Sequence, residues 1–246
     1  PAVLTSLLGY GLAVIAVVID LGRFWGLWKV PVYVWRWSHS PQLEVALCVA
    51  AYTTVLLIEL SPALFEKLRA KPESRWRSLA ETGLRWVDRG FVWILALGLL
   101  LPTMHQSSLG TMMLLPGPRM HPLWFTPWLP LLFLVNCVVM GLAVVTLESS
   151  FSALAFRRHR ETATLASLAL IAGWVAVGWS AFRIAEVALT GKLSFIAGWA
   201  GVAFVAEIVL LLLGAAIVLT ARRHQAPWQA RAAILMLAGT ALHRIN

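Results

Sequence analysis

His105, Gln106, Ser107 and Ser108 follow the apolar run Phe91 to Leu101 and precede Leu109 and Gly110. That order places an imidazole, an amide and two hydroxyls at the edge of a hydrocarbon slab. Polar groups there are costly unless they bind something. The His105 imidazole can donate or accept a hydrogen bond and change charge near neutral pH. A quinone carbonyl needs such a donor, and the resulting quinol needs a proton acceptor. A second polar cluster, Asp20-Leu21-Gly22-Arg23, closes the first apolar run. Asp20 and Arg23 stand at i, i+3 and can pair, as ligand contacts or as a plain helix-end ion pair.

Carboxylates form the next group. Glu44 and Glu59 bracket the second apolar run, 15 residues apart, about 22 Å along a helix and about 60° around it. Cys48, Tyr52 and Val55 fall on the same broad face, giving a stripe with an acid at each end and a phenol between. Glu59 ends its helix, where the macrodipole disfavours negative charge, and Glu148 repeats that position on the fourth run. Both suit a proton path; snorkelled interfacial acids are the plain alternative. Glu207 lies inside the sixth run, and an intramembrane acid is expected to face a bundle interior and join the path. Arg183 and Glu186 pair at i, i+3 near the end of the fifth run. His121 and His39 read as structural turn residues, and His159 and His224 as surface residues in basic clusters. His243 stands too near the chain end to interpret. No apolar run holds a mid-span histidine, so no bis-histidine haem is expected. Cys48 and Cys137 are isolated, which offers neither an Fe–S cluster nor a zinc site.

These groups must be carried by helices. The 246-residue chain is 60% hydrophobic and 13% charged, with mean hydropathy +0.79, against about 25% charged residues in soluble domains. An all-α polytopic membrane bundle is expected, because hydrocarbon leaves no water to satisfy open backbone. Six spans are predicted at Pro1–Ile19, Leu43–Leu60, Gly90–Pro102, Pro127–Leu147, Ala163–Ala185 and Ala200–Thr220, with a truncated seventh at Ala232–Ala241. The third is short unless it extends back through Trp86 or forward past His105. The whole, 1–246, reads as one integral membrane domain excerpted from a longer chain, since it starts at Pro1 without methionine or leader. The net charge of +9 is an orientation signal rather than a nucleic-acid signal. Connections 61–89, 149–162 and 221–231 carry thirteen Lys and Arg, and connections 20–42, 103–126 and 186–199 carry five. The basic side is therefore expected in the cytoplasm, with Asp20–Arg23 and His105–Gly110 facing outward. Trp25, Trp28, Trp35, Trp37, Trp124, Trp128 and Trp199 would form an interfacial belt. The long, weakly charged outer connections read as re-entrant segments or a docking surface for a peripheral partner, with Trp25, Ser107, Ser108, Arg183 and Glu186 as docking candidates.

The segments S-L-L-G-Y-G-L with D-L-G-R, L-E-V-A-L-C-V-A-A-Y-T-T-V-L-L-I-E-L-S-P-A-L-F-E-K-L, L-L-P-T-M-H-Q-S-S-L-G, H-P-L-W, M-G-L-A-V-V-T-L-E and R-I-A-E-V-A-L-T-G-K-L-S resemble the NrfD/PsrC family of quinone-interacting membrane subunits. The closest match is the HybB-like branch found with respiratory nickel–iron hydrogenases. The resemblance implies a subunit of a respiratory oxidoreductase without haem or Fe–S cluster of its own. It implies menaquinone or ubiquinone bound near the periplasmic face of the inner membrane. It further implies a docked ferredoxin-like Fe–S subunit, with hydrogenase small and large subunits or another periplasmic oxidoreductase beyond it. Positions matching Glu44, Glu59, His105 and Glu148 are implicated there in quinone and proton chemistry. His105, Asp20, Arg23, Gln106 and Glu44 are thus the expected quinone contacts, and Glu59, Glu148, Tyr52 and Glu207 the expected proton path. The same quinone role in a molybdenum or sulfur-metabolism complex, a transporter, and a purely structural anchor are the alternatives. A transporter would more often show inverted repeats.

Overall fold

A computed structural model describes residues 2–20, 23–26, 28–37, 40–70, 77–156 and 162–245. Leu21, Gly22, His39, Lys71, Arg75 and the 157–161 stretch with His159 lie outside the described residues, as do the side chains of Asp20 and Trp37. The described chain is helical: α1 Ala2–Asp20, the single turns α2 Lys29–Val32 and α3 Val34–Trp37, α4 Pro41–Arg69, α5 Arg77–Met112, α6 Leu129–Ala155, α7 Thr162–Leu189, α8 Trp199–Val218 and α9 Ala226–Ile245. The five helices α4 to α8 are long and apolar enough to cross a membrane, and α1 carries the shorter apolar stretch Val3–Ala16. The apolar run Ala232–Ala241 lies within the 20-residue helix α9.

The residues form two compact units, 1–108 and 109–246. In the first, α1 packs on α4. Pro41 opens α4 with its fixed backbone angle, Glu44 sits in the first turn, and Lys67 and Arg69 close the last. This is the charge order that a helix dipole favours. Helix α5 has 36 residues, about 54 Å at 1.5 Å per residue, and extends well beyond the predicted third span at both ends. It runs through Pro102 without breaking.

In the second unit, α6, α7, α8 and α9 follow one another and α9 returns to α6, closing a four-helix bundle. Its core is aliphatic and small: Val139 and Ala143, Ala169, Ala172 and Ala176, Leu211 and Ala215, Ala233 and Met236. Glycines set the closest approach. A Cβ on Gly239 would stand 3.1 Å from the Glu207 carbonyl oxygen, and one on Gly214 3.0 Å from that of Ala232. Small residues at such crossings let helices gain van der Waals contact where lipid supplies no hydrophobic drive.

Candidate functional site

In the first unit α1, α4 and α5 each bring one ring to a common point. His105 is 4% exposed. It lies inside α5, not in a connection as the sequence reading placed it. The polar side chains after Pro102 are accommodated because they bond back to carbonyls of their own helix. Thr103 Oγ1 donates to Leu100 O at 2.7 Å and Ser108 Oγ to Met104 O at 3.1 Å. His105 Nδ1 faces Leu101 O at 3.2 Å. A carbonyl only accepts, so Nδ1 carries the proton and the neutral ring presents its lone pair at Nε2. That nitrogen meets Tyr10 Oη at 3.0 Å and Gln106 Nε2 at 3.0 Å. Tyr10 packs edge-on against Tyr52 at 4.7 Å and against His105 at 5.7 Å. Tyr10 was not singled out from the sequence; the available signal was a phenol within an otherwise apolar helix.

On α4, Cys48 and Val55 are buried, Tyr52 and Glu59 half-buried, and Glu44 is exposed in the first turn; Glu59 does not end its helix, because α4 continues to Arg69. Glu59 lies against α5 at a glycine, and a Cβ on Gly98 would come within 3.2 Å of its Oε1. Arg23 is exposed at the end of the first segment, as is Trp25. Ser107 is half-buried and Ser108 buried.

The second unit collects the remaining candidates. Glu148 is half-buried on α6. Arg183 and Glu186, expected at a docking face, are instead buried inside the bundle. Arg183 Nη1 pairs with Glu186 Oε2, and Nη2 donates to Leu123 O at 2.7 Å. Lys192 Nζ reaches Glu186 Oε1 at 3.4 Å and Phe125 O at 2.8 Å. The pair is held within the fold because two charges at a helix end found carbonyl and lysine partners from adjacent loops. Glu207, fully buried, accepts from His243 Nδ1 at 2.9 Å and from Trp124 Nε1 at 3.3 Å. Trp124 is therefore a core residue and not part of an interfacial belt, whereas Trp25, Trp28, Trp35, Trp128 and Trp199 are exposed. The sequence reading passed over His243, Trp179, Ser180 and Asn136.

Among the described residues no group of three or more His, Cys, Asp or Glu could hold a metal. A b-type haem takes one nitrogen from each of two facing histidines. Both ring nitrogens of His105 carry hydrogen bonds, and His243 sits between the rings of Trp179 and Phe133. The described residues of neither unit fit that arrangement. In the first unit a hydroxyl, an amide and an imidazole converge beside edge-on rings.

The chain is 39% identical over 155 residues to the "Probable Ni/Fe-hydrogenase 2 b-type cytochrome subunit" of Escherichia coli, covering 61% of this chain and 36% of that protein. It is 29% identical over 148 residues to the "Menaquinone reductase, integral membrane subunit" of Nitratidesulfovibrio vulgaris, covering 57% and 33%. A further protein of that organism is 37% identical over 153 residues, covering 62% and 36%. The matched stretches thus span about a third of each relative's length. The profile of the family described as "Polysulphide reductase, NrfD" matches residues 2–246. With five membrane-length helices and a profile match over nearly its whole length, the chain is a multi-pass membrane protein belonging to the NrfD family.

Proposed function

We propose that this chain forms part of the membrane subunit of a quinone-linked respiratory oxidoreductase of the nickel–iron hydrogenase type. In this reading it binds menaquinone or ubiquinone beside His105. The observation that carries the proposal is the convergence of Tyr10, Tyr52, His105 and Gln106 in one unit. The printed names of two relatives, a hydrogenase subunit and a menaquinone reductase subunit, support it. A quinone supplies two-electron, two-proton redox chemistry when bound. His105, Gln106 and Tyr10 orient its carbonyl by hydrogen bonds, with Asp20, Arg23 and Glu44 toward the outer end. For His105 Nε2 to donate to a carbonyl it must first gain a proton, and the Tyr10 hydroxyl and Gln106 amide then leave that nitrogen and are free to donate to the carbonyl themselves. Glu59 and Tyr52 pass protons along the α4 face toward that ring, and Glu148 is a further proton-carrying group within the second unit. Electrons come from a docked ferredoxin-like Fe–S subunit, with hydrogenase small and large subunits behind it. The basic connections face the cytoplasm and the His105 end the periplasm of the inner membrane, a reading that the thirteen-to-five charge bias supports.

His105→Ala in the assembled complex tests the reading. Quinone-linked turnover should fall at least tenfold, while electron transfer from the catalytic subunit to a soluble dye stays normal. Unaltered quinone turnover rejects the head-group role.

A further inference from the structure

The reading above leaves the buried polar centre of the second unit unused. Glu207 of α8 and Thr240 of α9 are fully buried, and His243 of α9 is 4% exposed. The contact between His243 Nδ1 and Glu207 Oε1 is a histidine backed by a carboxylate. The carboxylate fixes the imidazole with its proton on Nδ1 and steadies the ring when it becomes cationic. Trp124 holds the other carboxylate oxygen. This leaves the His243 Nε2 lone pair as the reactive end.

Five buried side-chain atoms find no hydrogen-bond partner among the described residues: Asn136 Nδ2, Trp179 Nε1, Ser180 Oγ, Arg183 Nε and His243 Nε2. Each such group costs about 1–3 kcal/mol if nothing satisfies it. Trp179, Ser180 and Arg183 lie within one and a half turns of α7. The Trp179 ring meets His243 edge-on at 4.9 Å. Asn136 of α6 is tied to His243's neighbour, with Arg244 Nε donating to its Oδ1 at 3.3 Å. Three of the five are N–H donors alone, whereas Ser180 and His243 can also accept. The His243 Nε2 lone pair accepts from a small donor, namely water or the hydrated proton. The ionic chain Lys192–Glu186–Arg183 leads from a partly exposed ammonium toward this centre, and Arg183 interacts electrostatically with Glu207 as well as Glu186.

We propose that Glu207 and His243 form a second proton-carrying site, within the second unit and separate from His105. A hydrated proton gives its proton to His243 Nε2, where the lone pair becomes an N–H bond and a water is left. The reverse step returns it, and no electrons move. Of the charged and titratable groups nearby, Arg183 of α7 interacts electrostatically with Glu207, Glu186 and Lys192 stand behind Arg183, Arg244 of α9 bonds Asn136 and lies beside Cys137 of α6, and His121 contacts Trp124.

The test uses the intact complex in lipid, with ¹⁵N-labelled histidine and solid-state NMR. The signal that disappears in His243→Gln should show both a bare and a protonated Nε2 state as the sample is acidified. A purely structural histidine keeps one state throughout, and that result overturns the proposal. Glu207→Gln preserves size but removes the charge and one of the two acceptor oxygens. In proteoliposomes it should at least halve the rate of quinone-linked proton uptake while leaving the KM for naphthoquinone unaltered. Unchanged uptake in an assembled Glu207→Gln complex also overturns it. Should that variant fail to assemble, the NMR result on the unsubstituted protein decides alone. Neither readout requires His105 to contact quinone, so failure of that reading, seen in His105→Ala, is distinguishable.

Discussion

Tyr10→Phe gives the sharpest test of the first-unit site. The substitution removes one oxygen and keeps the ring, so the edge-on contacts with Tyr52 at 4.7 Å and His105 at 5.7 Å survive. What is lost is the 3.0 Å hydrogen bond to His105 Nε2. The Gln106 amide, also at 3.0 Å, still satisfies that nitrogen. The cost is then one ordinary hydrogen bond, about 0.5–1.5 kcal/mol, without the larger penalty of an orphaned buried nitrogen. Expressed as kcat/KM for quinone, that is a loss of about twofold to tenfold.

The decisive form is a double-mutant cycle with His105→Ala. If Tyr10 acts by holding the imidazole, its removal costs little once the imidazole is gone. The coupling should then reach at least about 0.5 kcal/mol. The assay is quinone-linked turnover of the assembled complex, with dye-linked turnover as the control for the catalytic subunit. Costs that add to within about 0.3 kcal/mol would refute the argument, because independent residues add and partners do not.

Three further outcomes follow from the geometry. Gly98→Ala should keep or slightly raise thermal stability, since alanine favours a helix by about 1 kcal/mol over glycine. It should also lower proton uptake, because the new methyl crowds Glu59 Oε1 at 3.2 Å; normal uptake would remove the Glu59 carboxylate from the path. Glu59→Gln combined with Glu148→Gln should reduce proton uptake in proteoliposomes at least fivefold, and an unchanged rate would discard the inner route. Arg183→Met strands Glu186 in the bundle with Lys192 alone, so a loss toward the low end of about 3–5 kcal/mol is expected. Thermal unfolding of the purified complex reads this loss. A change under about 0.5 kcal/mol would mean that the buried pair contributes nothing net.

The helices were legible because length and hydropathy speak directly about spans. The limits of α5 were less so. Apolarity ends at Leu101 and Pro102 normally terminates a helix, so residues 103–110 read as a connection. Their side chains satisfy helix carbonyls at Leu100, Leu101 and Met104, an arrangement that no hydropathy window registers. His105, Gln106, Glu59 and Glu207 stood out by being polar in apolar surroundings. Tyr10 and Trp124 did not, since amphipathic rings are at home in either lipid or protein. Arg183 and Glu186 gave the right pairing from i, i+3 spacing but the wrong setting, because burial was decided by Leu123 and Lys192, distant in sequence. His243 acquired meaning only from Glu207, 36 positions earlier, across the α8–α9 contact.

The two units differ in packing, and that difference bears on which ligand each can serve. The apolar window of α5 has no residue buried and that of α4 has 22%, against 39–44% for α6, α7 and α8. Helices with most of their side chains turned outward offer lateral access to a molecule that arrives through lipid, and the Tyr10–Tyr52–His105 cluster lies on such helices. A bundle whose crossings are fixed by Gly214, Gly239 and a ladder of alanines leaves no such approach to Glu207 and His243. Only something the size of water can come and go there without opening the core. Packing and side-chain chemistry thus support the same two proposals: a lipid-soluble carrier for the first unit and a proton for the second.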